Sequence, residues 1–231
     1  MNGYRLIRII AVIGVVAIVA TACGGDDGPQ QGASPTAQVP KGGSVVIAAE
    51  QWPECINPIT SCSGATWTWY SVLLHVLPRA MVLDLQGNFI ASPLLVEAPT
   101  LDNGGVTQSP FTVRYKISDK AVWEDGSPIT SADFDFTWRA ITNTTGAFST
   151  VGYDQIESVD TTDPKTAVIN FKSIFVDWPD LFGGVYAGFF KKAAFPSADA
   201  EKPNLADEMQ DSIPFSGGPW VLQSWSKDQA V

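Results

Sequence analysis

Chemistry at a protein site needs groups that converge, and this 231-residue chain offers few kinds of them. It holds one histidine, His75, set in an apolar stretch, whereas zinc ordinarily takes four nitrogen, sulfur or oxygen ligands. There is no glycine-rich phosphate loop, no His-Glu-x-x-His and no Gly-x-Ser-x-Gly. Carboxylates are plentiful, but Asp133 and Asp135 stand two apart on a predicted helix, so they do not face one another as the paired acids of a glycosidase would. A helix cap and a solvated face are the ordinary uses of such positions. The chain therefore reads as a non-enzyme with no catalytic residue, no metal site and no cofactor. Its other resource is eight tryptophans, each able to bury a large apolar area while keeping a donor free. Trp123, Trp138 and Trp178 fall within patterned elements or beside prolines and read as core. Trp52, Trp67 and Trp69 flank a polar loop and read as candidates for a pocket wall.

The amino terminus sets the compartment in which any such pocket would work. Arg5 and Arg8 precede the apolar run from Ile9 to Ala20, which is a signal-peptide pattern. A membrane-spanning helix needs about 20 apolar residues, and this run is too short for that. Ala20-Thr21-Ala22-Cys23 resembles the lipobox of bacterial lipoproteins, in which the cysteine sulfur takes a lipid and becomes the first residue after cleavage; the departure is Ala20, where leucine is preferred. Residues 1–22 are thus expected to be a lipoprotein signal peptide and Cys23 the lipidated residue, anchoring the protein outside the cytoplasm on the cell membrane. Residues 23–43, rich in Gly, Pro, Ser, Thr and Gln, read as a flexible tether, and some 20 such residues reach roughly 25 Å. Cys55 and Cys62 remain as an even pair in an oxidising compartment, where a disulfide is expected and two reduced thiols are the alternative. A net charge of −10 argues against nucleic acid or an anionic lipid surface as partner.

The elements that must position a site follow from pattern. The β-branched run Ser44 to Glu50 predicts a buried strand opening onto a polar, proline-bearing loop. Thr66 to Val76 is mostly apolar and aromatic, and Pro78 stops any helix begun there, so a buried helix ending near Leu77 is predicted. Asp84 to Asn88 is a turn between short extended segments. In Phe111 to Ile117 the residues Phe111, Val113, Tyr115 and Ile117 share one face, with Thr112, Arg114 and Lys116 on the other, which is the period of a strand. Thr130 followed by Asp133 is a helix start, predicting a helix from about Ser131 to Ile141. On it Phe134, Trp138 and Ile141 form a buried stripe, while Asp133, Asp135 and Arg139 are expected to face water. Asp163-Pro164-Lys165 is a turn into a further strand from Thr166 to Lys172.

The stretch from Tyr115 to Phe134, with Trp123-Glu124-Asp125-Gly126-Ser127-Pro128-Ile129-Thr130-Ser131-Ala132-Asp133-Phe134 at its heart, resembles the signature of family 5 extracellular solute-binding proteins, the oligopeptide and dipeptide receptors of ABC importers. Asn57-Pro58, the Asp84 to Gly87 turn and the Asp163 to Lys172 segment agree in order. Gly217-Gly218-Pro219-Trp220, with the predicted strand that follows it to Trp225, is similar to the family's Gly-Thr-Gly-Pro-Tyr motif, with glycine for threonine and tryptophan for tyrosine. The resemblance runs over residues 44–231. It implies an α/β, periplasmic-binding-protein-like fold (type II, peptide-receptor cluster), with this chain supplying the first lobe only and the second lobe missing.

The resemblance also implies a role. The chain would capture oligopeptides or dipeptides outside the membrane and deliver them to an ABC permease and its ATPase subunits, with no nucleic acid partner. The loop after the first strand borders ligand in the family, which maps here onto Glu50, Gln51 and Trp52; Tyr153 is a further candidate for the wall. The same fold with an oligosaccharide or a metal chelate as cargo is the alternative, because aromatic clefts suit sugars equally well. A surface hydrolase or adhesion lipoprotein is the rival from another class; it would need a paired-carboxylate site or a second module.

Overall fold

A computed structural model describes residues 42–51, 53–64 and 66–227. The chain divides into two compact units, Met1–Ile47 and Ala48–Val231. The expected signal peptide, Cys23 and nearly all of the tether lie outside the described residues, as does Trp52.

In the first unit the described residues run without regular structure, and Val45, Val46 and Ile47 are 74–87% exposed. The strand expected from Ser44 to Glu50 is therefore not formed. A β-branched run becomes a strand only where a neighbouring edge takes its backbone groups and a face takes its side chains; among the described residues, no sheet pairs with this segment.

The second unit is built on a four-stranded antiparallel sheet and a helix laid across it. A short hairpin comes first, β1 (Met81–Leu83) and β2 (Phe89–Ala91), closed by the predicted turn. Asp84 fixes that turn by accepting the backbone N–H groups of Gln86 and Asn88, both at 2.8 Å. The larger sheet consists of β3 (Val106–Gln108), β4 (Phe111–Lys116), β5 (Ile156–Asp163) and β6 (Thr166–Phe171), in the order β3-β4-β6-β5. On β4 the alternation is as the sequence predicts, with Phe111, Val113 and Tyr115 buried and Arg114 and Lys116 exposed. Across from them Ala167, Ile169 and Phe171 of β6 are buried on the same face.

Preceding the hairpin is one helical segment, α1, spanning residues 66–76. It opens as an α-helix (Thr66–Thr68), widens to a π-helical stretch (Trp69–Leu73) and closes as an α-helix (Leu74–Val76). Its last carbonyls would be orphaned by Pro78, and a distant segment satisfies them: Gly217 and Gly218 donate to Val76 O at 3.1 and 3.0 Å, and Trp220 donates to His75 O at 3.2 Å. Glycine is required there, because a Cβ on Gly218 would overlap the backbone at His75. Among the described residues no strand edge pairs with the stretch that follows, and Trp220 and Val221 stay exposed; the strand expected after this motif is not formed.

The second helix, α2 (Ser131–Asn143), covers the sheet. Asp133 sits at its start and accepts the Thr130 N–H at 2.9 Å, as the sequence suggests. Asp133 does not face water, however. It is buried, and its other oxygen takes the Lys192 N–H at 3.0 Å, so both carboxylate oxygens serve backbone groups. The buried stripe of α2 is broader than predicted, adding Phe136, Thr137 and Ala140 to Phe134 and Ile141. Between sheet and helix lies an aromatic core: Phe134 rests 5.2 Å from Tyr115 and 4.2 Å from Phe189, and Phe182 stacks on Phe189. Rings at such centroid distances in offset or edge-on geometry contribute about 0.5–1.5 kcal/mol per pair beyond their buried area.

Candidate functional site

Three loops of the second unit meet around a cavity of about 690 Å³. The first runs from Pro58 to Gly64 and leads into the start of α1, which adds Thr66 and Trp69; the second is Phe148 to Tyr153 and the third Asp180 to Phe190. A volume of this order suits a small ligand or one portion of a longer one.

The first loop is held by a covalent ring and a buried amide. Cys55 and Cys62 are joined in a disulfide, with their Cα atoms 5.2 Å apart. Inside that ring Asn57 is completely buried; its Nδ2 donates to the carbonyls of Leu205 at 2.7 Å and Glu208 at 2.8 Å, and its Oδ1 accepts the Ile59 N–H at 2.9 Å. The loop is thereby tied both to itself and to a segment far along the chain. It is also tied to the second loop, since Phe148 donates its N–H to Ile59 O at 2.7 Å and Thr60 bridges Ala147.

The second and third loops are joined through Tyr153. Trp138 on α2 donates its indole N–H to the Tyr153 carbonyl at 3.0 Å, and the Tyr153 hydroxyl accepts the N–H of Phe182 at 2.9 Å. Burial pushes the Tyr153 phenol up, well beyond its ordinary range. Phe182 itself has φ 58°, in the left-handed region that only glycine adopts freely, at a cost of about 1–3 kcal/mol. Its ring, 1% exposed and packed on Phe134 and Phe189, holds it there. The bend turns the chain so that Asp180 and Tyr186 both reach the cavity.

The wall that results is aromatic and hydroxylated. Tyr186 lies edge-on to Trp69 at 5.8 Å and to Tyr70 at 6.2 Å. The Tyr70 phenol is raised by its hydrogen bond with Tyr186 and by the charge that ring would carry if ionised. Thr60, Ser63, Thr66 and Ser149 add hydroxyls, and among the described residues no Lys, Arg or His lines the cavity. Among the described residues lining it Asp180 is the one that carries a charge; partial burial, and then the neighbouring Asp177, raise its carboxyl above the ordinary aspartate value. Among the described residues no cluster of three or more His, Cys, Asp or Glu is placed to hold a metal. A second cavity of about 350 Å³, beside Arg79, Lys120 and Gly217, has no aromatic ring in its walls.

Of the residues singled out in the sequence, Tyr153 and Trp69 line the larger cavity, Tyr153 with its hydroxyl committed to Phe182. Glu50 and Gln51 are exposed and do not line it; Gln51 Oε1 accepts the Trp67 N–H at 3.3 Å. Trp123 and Trp138 sit in or against the core as expected, Trp123 edge-on to Phe215 at 5.5 Å. Phe148, Ser149, Asp180 and Tyr186 carry no periodicity or motif that marks them. The Asn57-Pro58 pair inside a short cysteine ring and the flanking Trp69 were the local signals pointing to the first loop.

The family model described as bacterial extracellular solute-binding proteins, family 5 (middle part), matches residues 92–231. A Mycobacterium tuberculosis protein named as a probable monoacyl phosphatidylinositol tetramannoside-binding protein is 37% identical over 132 residues, covering 57% of this chain and 19% of that one. The oligopeptide-binding protein OppA of Mycobacterium bovis is 27% identical over 199 residues, covering 81% and 31%. Among solved structures, the periplasmic EDTA-binding protein EppA superposes with a TM-score of 0.67 at 24% identity, over 81% of this chain and 35% of that one. The Bacillus subtilis oligopeptide-binding protein AppA, in complex with a nonapeptide, superposes at 0.63 and 18% identity, again over 81% and 35%. These likenesses place the fold in the periplasmic-binding-protein class, and the chain spans a fifth to a third of the length of the relatives it matches.

Proposed function

The chain belongs to the bacterial extracellular solute-binding proteins of family 5, and on that premise we propose that it is part of the substrate-binding lipoprotein of an ABC importer, contributing one wall of the site that captures oligopeptides. The observation that carries the reading is the aromatic, hydroxyl-bearing cavity formed where three loops meet, in a unit whose fold is that of peptide receptors. An importer's receptor must bind and then release its cargo. A wall of rings and hydroxyls with few charges suits that, because affinity arises from enclosure and desolvation and is lost when the enclosure opens. Captured peptide would pass to a permease driven by ATPase subunits. In this reading residues 1–22 are removed, Cys23 carries the lipid and residues 23–43 are the tether, keeping the receptor at the outer face of the cell membrane. Mass spectrometry of the exported chain tests the anchor: a diacyl adduct on an amino-terminal Cys23 is expected, and an unmodified mature terminus elsewhere would refute it.

A glycan is the second reading. The ring and hydroxyl chemistry of Trp69, Tyr186, Thr60 and Ser149 is also that of a sugar site, and a relative 37% identical is named for a mannoside. Parallel calorimetric titrations with a pool of tri- to pentapeptides and a pool of oligosaccharides separate the two. Saturable heat from peptides alone supports peptide capture; heat from sugars alone transfers the site to glycans.

A further inference from the structure

We propose that the Asp180 and Tyr186 side of the cavity is a seat for an organic cation, so that the peptides preferred at this wall carry a lysine or arginine side chain. The inference rests on the cavity being the ligand-binding wall and names the class of ligand it selects.

Three observations converge on that seat. Among the described residues, the Asp180 carboxylate accepts no hydrogen bond and joins no ion pair, while Lys191, Arg139 and Lys116 all have acidic partners elsewhere. Arg79, whose Nη1 donates to the Gly184 carbonyl at 2.9 Å, is engaged with the loop backbone and forms no ion pair with Asp180. The Asp180 carboxylate is exposed at the cavity wall, so a cation brought by a ligand can reach it without displacing a protein partner.

Aromatic rings line the same cavity as that carboxylate. Trp69, Phe148 and Tyr186 line the same cavity, and Tyr186 is fixed by its edge-on contacts with Trp69 and Tyr70. A cation held over such faces is attracted by their quadrupoles, and more so when partly desolvated. The chain around the carboxylate is also shaped to keep it in place: Gly184, at φ +63°, backs onto it so closely that a Cβ there would come within 2.7 Å of Asp180 Oδ1. Charge selection follows from what the walls omit. With no basic side chain among the described residues of the lining, an anionic group meets Asp180 with nothing there to offset the repulsion, and the net charge of −10 draws cations toward the surface.

The test is calorimetric titration of the full chain with three probes: Ala-Ala-Lys-Ala-Ala, the same peptide with norleucine for lysine, and cadaverine as a free diamine. The lysine peptide is expected to bind about tenfold more tightly than its norleucine match, with a ratio that shrinks as salt is raised and collapses toward one in Asp180→Asn. Equal affinities for the two peptides, or a ratio that survives both added salt and Asp180→Asn, overturn the cation seat while leaving peptide capture standing. Asp180-dependent binding of cadaverine without either peptide keeps the seat and refutes peptide capture. Silence from all three probes on a folded chain refutes both.

Discussion

The Tyr153 hydroxyl offers the sharpest test of how the cavity is held, because it is a wall residue whose polar end is already spent inside the protein. Replacing Tyr153 by Phe keeps the ring, which is 6% exposed and lies edge-on to Phe182 at 5.3 Å, and removes only the oxygen that accepts the Phe182 N–H at 2.9 Å. Phe182 is 1% exposed, so water has no ready access to the N–H left behind. An unpaired buried donor costs about 1–3 kcal/mol. Residue 182 is also strained at φ 58°, so without its acceptor the loop can relax toward ordinary backbone, which returns part of that cost and displaces Asp180 and Tyr186. A net loss of about 2 kcal/mol is expected, which for a domain of this size lowers Tm by roughly 4–8 °C. Urea unfolding followed by tryptophan fluorescence measures it, with the midpoint falling and the slope unchanged. Ligand affinity should fall alongside stability although the deleted oxygen touches no ligand. A Tyr153→Phe protein within about 0.5 kcal/mol of the parent would refute the reasoning, since that is the scatter of substitutions that touch nothing.

Other expectations follow from the same geometry. Asn57→Ala removes three hydrogen bonds from a residue with no exposure and should cost about 3 kcal/mol in the same urea assay; a loss below about 1 kcal/mol would mean the loop 205–208 is not anchored there. Reducing the Cys55–Cys62 disulfide releases a loop with a sequence separation of 7 and should lower stability by about 2.5 kcal/mol on chain-entropy grounds, read by unfolding with and without reductant. Asp125 has its carboxyl held far below the usual aspartate range, first by the hydrogen bond from Lys191 at 2.6 Å and then by Ser127. A depressed folded pKa means that its contribution is present above the ordinary aspartate pKa and is lost as pH falls through the folded value, so Asp125→Asn should narrow the stability gap between pH 5 and pH 2. Parallel acid limbs for the two proteins would contradict that assignment.

Much of the scaffold was legible because it is written in local terms. β4 follows from its alternation, the start of α2 from Thr130 and Asp133, and the hairpin turn from Asp84 to Asn88, each set by residues a few positions apart. The parts that misled depend on distant partners. Val45 to Ile47 have strand chemistry yet stay exposed, since nothing in a propensity supplies the neighbouring edge. Asp133 looks like a surface acid until Lys192 arrives from another part of the chain to take its second oxygen. The cavity was the least readable feature. Apart from the first turn of α1, its walls at 58–64, 148–153 and 180–190 come from loops, which have no period, and their meeting depends on contacts such as Phe148 with Ile59 and Tyr153 with Phe182. Glu50 and Gln51 were chosen from the family's loop after the first strand, and in the structure they are exposed and lie outside the lining of this cavity. Tyr153 was within reach of the sequence, but its role as the brace between two loops was not.

Calorimetric titration of the folded chain with a mixed pool of tri- to pentapeptides, repeated in the presence of excess oligosaccharide, addresses the central claim most directly. Saturable peptide binding that oligosaccharide does not displace, and that weakens in Tyr153→Phe, is the result predicted for a peptide-capturing wall built from these three loops. Binding of oligosaccharide with no heat from peptides would contradict it.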